Sequence, residues 1–214
     1  AVVCKGQQST VCDQAAVKQL IKTLDQGILD ILDGPPPPSW LVDGFVRIWT
    51  DGSTLYADTP YLRSCGAGAY FVATMLDFGF ELSFPTIGFN RSNNRAELEA
   101  VLACLLLFPT WDLDFRLDSS YVDDGLQMLE DGVLPNTHID LWLAVKQAKH
   151  LRRIAHFHIY SHMDANAINN GGIFDFDVAD NDKADTSAKR AAFQNGPDEN
   201  MVLEATSYNH LGFL

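Results

Sequence analysis

The 214-residue sequence is short of cysteine and of positive charge, and it contains no long apolar run. Its four cysteines, at positions 4, 12, 65 and 104, form no CxxC pair and have no His-x3-His beside them, so they supply no metal or redox motif and favour a reducing compartment. No stretch approaches the roughly 18 apolar residues of a membrane span, so we expect a soluble protein without a membrane partner. Residues 1–8 lack the apolar core of a signal peptide, so we expect an intracellular protein, cytoplasmic or nuclear, that is not secreted.

Positive charge is scarce because 15 Lys and Arg stand against 28 Asp and Glu, for a formal net charge of −13. This excess of negative charge speaks at first sight against a nucleic-acid partner, whose phosphates attract Lys and Arg. Hydrophobic residues make up 47% of the chain and charged residues 20%, a balance that is typical of a folded globular protein rather than a disordered one.

The N-terminal part predicts a helix followed by a stiff connection. Apolar residues after Asp13 recur at helical spacing, and Asp13 is a suitable N-cap. Gly34 and the prolines Pro35–Pro38 end this helix, because proline cannot continue it and favours an extended polyproline segment. We therefore predict a helical leader over 1–34 and a linker over 35–44. The prolines are more readily a spacer than a ligand for a proline-binding module, since no basic residue flanks them.

From Phe45 onward the pattern changes between strands and helices. Runs of β-branched and aromatic residues bounded by turn residues indicate strands, and the stretch 95–108, which is apolar on nearly every side, indicates a buried helix. The predicted strands cover 45–50, 66–74, 80–85, 114–118 and 155–161, and the predicted helices cover 95–108, 119–130, 138–150 and 181–193. This order predicts an α/β fold with a five-stranded mixed sheet flanked by helices and preceded by the N-terminal helix.

Four carboxylates fall at strand ends or helix starts in this prediction. Asp51 closes the first strand and Asp118 ends the fourth, whereas Glu97 lies in the first turns of the buried helix and Asp185 opens the last helix. Such positions can converge at one edge of a sheet, where carboxylates repel one another unless hard divalent cations neutralise them. Two such cations, about 3.5–4 Å apart, can clamp the attacking and leaving oxygens of a phosphodiester displacement. Each acid taken singly is more often a turn or cap residue than a ligand.

The residues around these carboxylates form four motifs in a fixed order. They read TDGS at Thr50–Ser53, NNRAEL at Asn93–Leu98, LDSSYV at Leu117–Val122 and NDKADTSA at Asn181–Ala188. In these motifs the sequence resembles the ribonuclease H family, over about Phe45 to Phe193. The resemblance implies the ribonuclease H-like fold for a domain that we predict over 45–195, followed by a C-terminal tail over 196–214.

The resemblance also implies an activity, a cofactor and a set of metal ligands. The implied reaction is hydrolysis of the RNA strand of an RNA/DNA hybrid by a two-metal-ion mechanism, which leaves 3′-hydroxyl and 5′-phosphate ends. Asp51, Glu97, Asp118 and Asp185 match the four metal-binding carboxylates of the family. The expected cofactor is a pair of Mg²⁺ ions, with Mn²⁺ as a substitute.

Further residues of the implied site lie beside the carboxylates. Asn93 and Asn94 match positions that contact the minor groove of the hybrid, where 2′-hydroxyl groups distinguish RNA from DNA. Ser53 and Ser120 match further substrate contacts. His162 aligns with the flexible-loop histidine of the family, which is linked to the active-site metal and to product release.

Two stretches depart from the family pattern. Residues 163–180 form an insertion whose four Asp residues fit a solvated loop better than extra metal ligands. The basic helix with which some ribonucleases H grip the hybrid is missing, and Lys146, Lys149, Arg152 and Arg153 are a modest substitute that a solvated helix face explains equally well. The RxxGAGAY of residues 63–70, after a long first turn, and the HxDLW of residues 138–142, before the last helices, resemble retrotransposon domains. This resemblance implies a retroelement context and an adjoining reverse transcriptase as partner.

Other functions stay open at this point. A DNA nuclease of the same fold, such as a resolvase, transposase or integrase, shares the metal carboxylates but lacks the NNRAEL helix start. A non-catalytic scaffold within a reverse transcriptase has no reason to keep all four carboxylates.

The YVDD of Tyr121–Asp124 matches a polymerase signature, but it falls in a predicted helix, where we expect Asp123 and Asp124 to be exposed. Glu99 points about 200° away from Glu97 around the helix, so we expect it outside the site.

Overall fold

A computed structural model provides the fold of the chain. It describes residues 34–73, 78–86, 91–150, 152–159, 175–198 and 200–203. The predicted leader helix, His162 and most of the predicted C-terminal tail lie outside these residues.

The strands form one mixed sheet. They are β1 (Leu41–Val42), β2 (Phe45–Leu55), β3 (Ser64–Ala73), β4 (Phe78–Pro85), β5 (Leu113–Leu117) and β6 (Ile154–His158). Their order is β4-β3-β2-β5-β6, and β1 pairs with β2 through a tight turn at Asp43 and Gly44. The pairs from β1 to β4 are antiparallel, whereas β5 runs parallel to β2 and β6 parallel to β5. The five predicted strands are present, and the short β1 brings the sheet to six strands.

Four α-helices lie within the described residues. They are α1 (Asn93–Leu107), α2 (Ser120–Glu130), α3 (Ile139–Lys149) and α4 (Asp175–Gln194), and a 3-10 turn over Pro38–Trp40 precedes β1. The first helix begins where the Ser92 hydroxyl accepts a hydrogen bond from the Arg95 N–H, at 3.2 Å. Twelve of its 15 residues are buried, which confirms the predicted buried helix. Within the described ranges, no helix is long and apolar enough to span a membrane.

Helices α1 and α4 cover opposite faces of the sheet, as the alternation along β3 shows. Ala67 and Ala69 belong to the core cluster that includes the apolar residues of α1. Gly68, between them, faces α4, where a Cβ would lie 2.2 Å from the carbonyl oxygen of Ala184 and 2.5 Å from the backbone nitrogen of Ala188. Glycine is therefore required for α4 to lie this close to the strand.

The segment predicted as a linker over 35–44 contributes to the core. Trp40 is 6% exposed and packs against Phe80 and Trp111, with ring centroids 5.3 and 5.8 Å apart. The Trp111 indole N–H donates a hydrogen bond of 2.7 Å to the carbonyl of Gly34. The chain is thus already held against the sheet before β1 begins.

The last helix begins earlier than the sequence predicted. It starts at Asp175, so residues 175–180 of the predicted loop insertion over 163–180 are helical. Asp177 and Asp180 are 1% and 7% exposed, so the expectation of a solvated loop is wrong for them. The reason is that these side chains share the helix face of Asn181, which packs towards the sheet.

Candidate active site

Three carboxylates meet where β2 and β5 lie side by side. The parallel register pairs Thr50 with Leu117, so Asp51 and Asp118 follow at the same level on neighbouring strands. Glu97 reaches them from the second turn of α1. Oxygens of Asp51, Glu97 and Asp118 lie within 4.8 Å of one another. The predicted convergence of these three residues is therefore found in the structure.

The close approach of α1 to β2 depends on Gly52, the glycine of the TDGS motif. A Cβ at this position would lie 2.6 Å from the backbone nitrogen of Glu97 and 2.9 Å from the carbonyl oxygen of Asn93. Any side chain here would push the start of the helix away from the strand. The glycine thus brings Glu97 within reach of Asp51.

Burial and mutual repulsion perturb these carboxylates strongly. Burial, followed by the charges of Asp118 and Asp185, raises the pKa of Asp51 to about 8, although the Gly52 N–H donates a 2.6 Å hydrogen bond to its Oδ1. Burial, followed by the charges of Asp51 and Asp118, raises the pKa of Glu97 well above its usual value. With a pKa of about 8, Asp51 favours its protonated form at neutral pH unless a cation compensates the neighbouring charges. An all-oxygen set of this kind fits a hard divalent cation.

Asp185 lies beside this group rather than within it. The sequence placed it at the start of the last helix, but it lies in the third turn of α4. Its Oδ2 accepts a 2.5 Å hydrogen bond from the Lys189 ammonium, one turn further along. It nevertheless lines the same cavity, and its charge raises the pKa of Asp51.

The carboxylates open onto a cavity of about 460 Å³. Seven residues that the sequence predicted for the site line this cavity: Asp51, Asn93, Asn94, Glu97, Asp118, Ser120 and Asp185. Asn93 and Asn94 are exposed, and the Asn93 amide donates a 3.1 Å hydrogen bond to Glu97 Oε1. Ser53 lies on β2, is 9% exposed and does not line this cavity. His162 lies outside the described residues, so its role stays a prediction.

The cavity is also lined by residues that sequence reasoning missed. These are Ser119, Tyr121, Asn181 and Asp182. The Asn181 amide donates a 3.3 Å hydrogen bond to Asp118 Oδ2, and the Trp142 indole N–H donates a 2.9 Å hydrogen bond to the Tyr121 hydroxyl. A signal for Asn181 was available, because its spacing of four residues from Asp185 puts both on one helix face.

Other acidic residues of the motifs lie away from the cavity. Glu99 is completely buried and pairs with Arg95 at 3.0 Å, so it lies outside the site as expected. Asp124 is exposed, as expected. The same expectation is wrong for Asp123, which is half-buried because its Oδ1 lies 2.6 Å from His156 Nδ1 on β6.

Comparisons with known proteins show which family and which solved folds this chain matches. The family model described as RNase H matches residues 44–193. The solution structure of the RNase H domain of prototype foamy virus is 22% identical to this chain, with a TM-score of 0.50, and the match covers 69% of this chain and 93% of that one. LC9-RNase H1, a type 1 RNase H with the type 2 active-site motif, is 18% identical, with a TM-score of 0.51, over 72% of this chain and 74% of that one.

A larger viral protein is also similar. The protease-reverse transcriptase of prototype foamy virus is 20% identical, with a TM-score of 0.49, over 69% of this chain and 20% of that one. No sequence among curated proteins matches this chain. The likeness to the solved structures shows a shared fold. Because the family model spans 150 of the 214 residues and includes Asp51, Glu97, Asp118 and Asp185, the chain belongs to the RNase H family.

Proposed function

We propose that the chain is a metal-dependent ribonuclease H, which hydrolyses the RNA strand of RNA/DNA hybrids and leaves 3′-hydroxyl and 5′-phosphate ends. The observation that carries this proposal is the group of Asp51, Glu97 and Asp118, whose oxygens lie within 4.8 Å of one another on the wall of an open cavity. Carboxylates held together against their repulsion are costly in a folded protein. Cation binding explains why the fold keeps them there.

The same residues would hold the cofactor. Asp51, Glu97 and Asp118 would bind divalent cations, and Asp185 would complete the set from α4. Mg²⁺ suits these ligands because it is a hard cation that prefers oxygen, and Mn²⁺ is a reasonable substitute. When bound, a pair of such ions would supply an activated water and stabilise the leaving oxygen. The reaction therefore needs no Ser or Cys nucleophile from the chain.

Recognition of the hybrid is assigned to the first turn of α1. Asn93 and Asn94 are exposed there, and both line the cavity. An amide side chain both donates and accepts hydrogen bonds, which suits the 2′-hydroxyl of RNA. Asn93 also holds Glu97 through its 3.1 Å hydrogen bond, so it couples the substrate surface to the carboxylate group.

We further infer a retroelement setting with an adjoining reverse transcriptase. The support is the resemblance of the motif arrangement to retrotransposon domains. The RNase H domain of prototype foamy virus is a viral domain that shares the fold. The match covers 93% of that domain.

A panel of three labelled duplexes tests the proposed activity. The full chain is incubated with an RNA/DNA hybrid, duplex DNA and duplex RNA, each with Mg²⁺, with Mn²⁺ and with EDTA. We expect cleavage of the RNA strand of the hybrid only, with either cation, and products that carry 5′-phosphates. Equal cleavage of duplex DNA would favour a DNA nuclease of the same fold. Binding of Mn²⁺ without cleavage of any duplex would favour a non-catalytic scaffold.

A further inference from the structure

Asn181 links α4 to the cluster of Asp51, Glu97 and Asp118, although its own side chain is an amide. Its side chain is 4% exposed, and it lines the same cavity as Asp118. Its Nδ2 donates a hydrogen bond of 3.3 Å to Asp118 Oδ2. This contact links the last helix to the residue that directly follows β5, across 63 positions of the chain.

The direction of this contact follows from the chemistry of the two groups. An ionised carboxylate only accepts hydrogen bonds, so the amide nitrogen must be the end of Asn181 that faces Asp118. The other end, Oδ1, is buried and has no hydrogen-bond partner in the part of the chain that the structure describes. A buried acceptor without a partner lowers stability.

That cost distinguishes Asn181 from the two alanines that follow it on its helix face. Ala184 and Ala188 are completely buried on the same face and carry no polar side-chain atom. A residue that served packing alone could be apolar here as well. The hydrogen bond to Asp118 is what the asparagine adds.

We propose that Asn181 is a positioning residue, which holds the Asp118 carboxylate in the orientation that presents an oxygen to the group of Asp51 and Glu97. This role rests on the proposed function, because it takes Asp118 as a cation ligand. Residues that orient a metal ligand from outside typically change metal affinity or activity about 10–100-fold when they are replaced. Asn181 acts on the site through Asp118 and does not itself need to contact the substrate.

Three variants of the full chain test this role. Asn181→Ala removes the side chain, and Asn181→Leu removes both polar ends while keeping most of the volume. Ser187→Ala is the matched control, because it deletes a buried hydroxyl of α4 that donates a 3.0 Å hydrogen bond to Glu81 outside the cavity. Binding of Mn²⁺ alone is measured by electron paramagnetic resonance of the free ion, and thermal unfolding is measured in EDTA.

We expect both Asn181 variants to bind Mn²⁺ about 10-fold more weakly than the wild type. On the hybrid, kcat should fall about 10–100-fold with little change in KM. Asn181→Leu should change Tm little, since it removes the buried acceptor that lacks a partner together with the donor to Asp118, and the two effects oppose each other. Ser187→Ala should lower Tm and leave Mn²⁺ affinity unchanged.

The outcomes separate this role from the proposed function. A folded Asn181→Leu that binds Mn²⁺ as tightly as the wild type would overturn the positioning role. A wild-type chain that binds Mn²⁺ but leaves the hybrid intact would instead contradict the hydrolase. The difference in Mn²⁺ affinity between the wild type and Asn181→Leu would still support Asn181 in that case.

Discussion

Single carboxylates in this molecule owe their properties to the residues immediately around them. Asp51 is 6% exposed, accepts a hydrogen bond from the Gly52 N–H, and still has a raised pKa because burial and the charges of Asp118 and Asp185 outweigh that donor. The pKa of Glu97 is raised by burial and by the charges of Asp51 and Asp118. A cation bound by these groups would favour their ionised forms, so proton release and metal binding are linked.

The raised pKa of Asp51 predicts that the metal-free protein loses stability as the pH rises. Between the ordinary value of 3.8 and the folded value of about 8, the folded chain keeps a proton that the unfolded chain has released. Stability from this group is therefore fully present below about pH 4 and is lost as the pH rises through about 8. We expect Tm in EDTA to fall between about pH 5 and about pH 8, and Mg²⁺ to restore it at the upper end.

Comparison with two variants isolates the contribution of Asp51 to this pH dependence. Asp51→Asn should flatten the fall in Tm, whereas Asp124→Asn, which removes an exposed carboxylate of α2 away from the cavity, should leave it unchanged. An equal fall in Tm in the wild type and in Asp51→Asn would contradict the assignment of this pH dependence to Asp51.

At the scale of elements, Arg95 ties the helix that carries Glu97 to its neighbours. Its Nε lies 3.0 Å from Glu99 one turn further along α1, and its Nη2 lies 3.0 Å from Asp140 at the start of α3. Arg95 is 4% exposed and Glu99 is completely buried. The pair therefore belongs to the interior, where the loss of one partner is more damaging than the absence of both.

Arg95→Met should destabilise the protein by about 3–5 kcal/mol, because it removes the ion-pair partner of a fully buried carboxylate. The double variant Arg95→Met with Glu99→Met should recover most of that loss. Unfolding in urea measures both free energies. A single variant that loses less than about 1 kcal/mol would show that the pair does not hold α1 in place.

The sequence predicted those elements whose signal is local. The strands β2, β3 and β5 are rich in β-branched, aromatic or other apolar residues, and α1 is apolar over most of its length. The motifs around Asp51, Glu97 and Asp118 mark the points where these elements approach one another. The start of α4 was mispredicted, because the Asp-rich residues 175–180 have the composition of a loop, and only packing against the sheet shows that they are helical.

Contacts between distant segments were not predictable in the same way. Asn181 and Asp118 are 63 positions apart, and their hydrogen bond depends on where α4 lies on the sheet. Trp40 enters the core from a proline-rich segment whose own sequence indicates only a spacer. Such contacts depend on the tertiary arrangement, which a local sequence pattern does not predict.

For the whole molecule, the net charge of −13 stays an obstacle to binding nucleic acid. The sequence allows two interpretations of four basic residues, a modest substitute grip or a solvated helix face. Three of them contact other residues of the chain, and Lys146 is exposed. Arg152 donates to the carbonyls of Leu105, Phe108 and Ala148, Arg153 pairs with Asp112, and Lys149 lies 3.7 Å from Glu130. Most of these basic residues therefore already have a partner within the chain.

The isolated chain should consequently bind an RNA/DNA hybrid weakly and with a shallow dependence on salt. In EDTA, where the cation is removed, we expect the logarithm of the binding constant to fall with the logarithm of salt concentration with a slope shallower than about −3, as for two or three phosphate contacts. Fluorescence anisotropy of a labelled hybrid measures this slope. A slope of about −6 or steeper would show that basic residues other than Lys146, Lys149, Arg152 and Arg153 bind the phosphates.

The carboxylates around Asp51 are proposed above as a metal-dependent site for hydrolysis of the hybrid. Its most direct test compares cleavage of one labelled hybrid with Mg²⁺ by the wild type, by Asp51→Asn and by the exposed control Asp124→Asn. We predict cleavage by the wild type and the control, abolished by EDTA, and a loss of more than about 100-fold for Asp51→Asn, because it removes a ligand rather than a residue behind one. Hybrid cleavage by Asp51→Asn at the wild-type rate would contradict the assignment of the site.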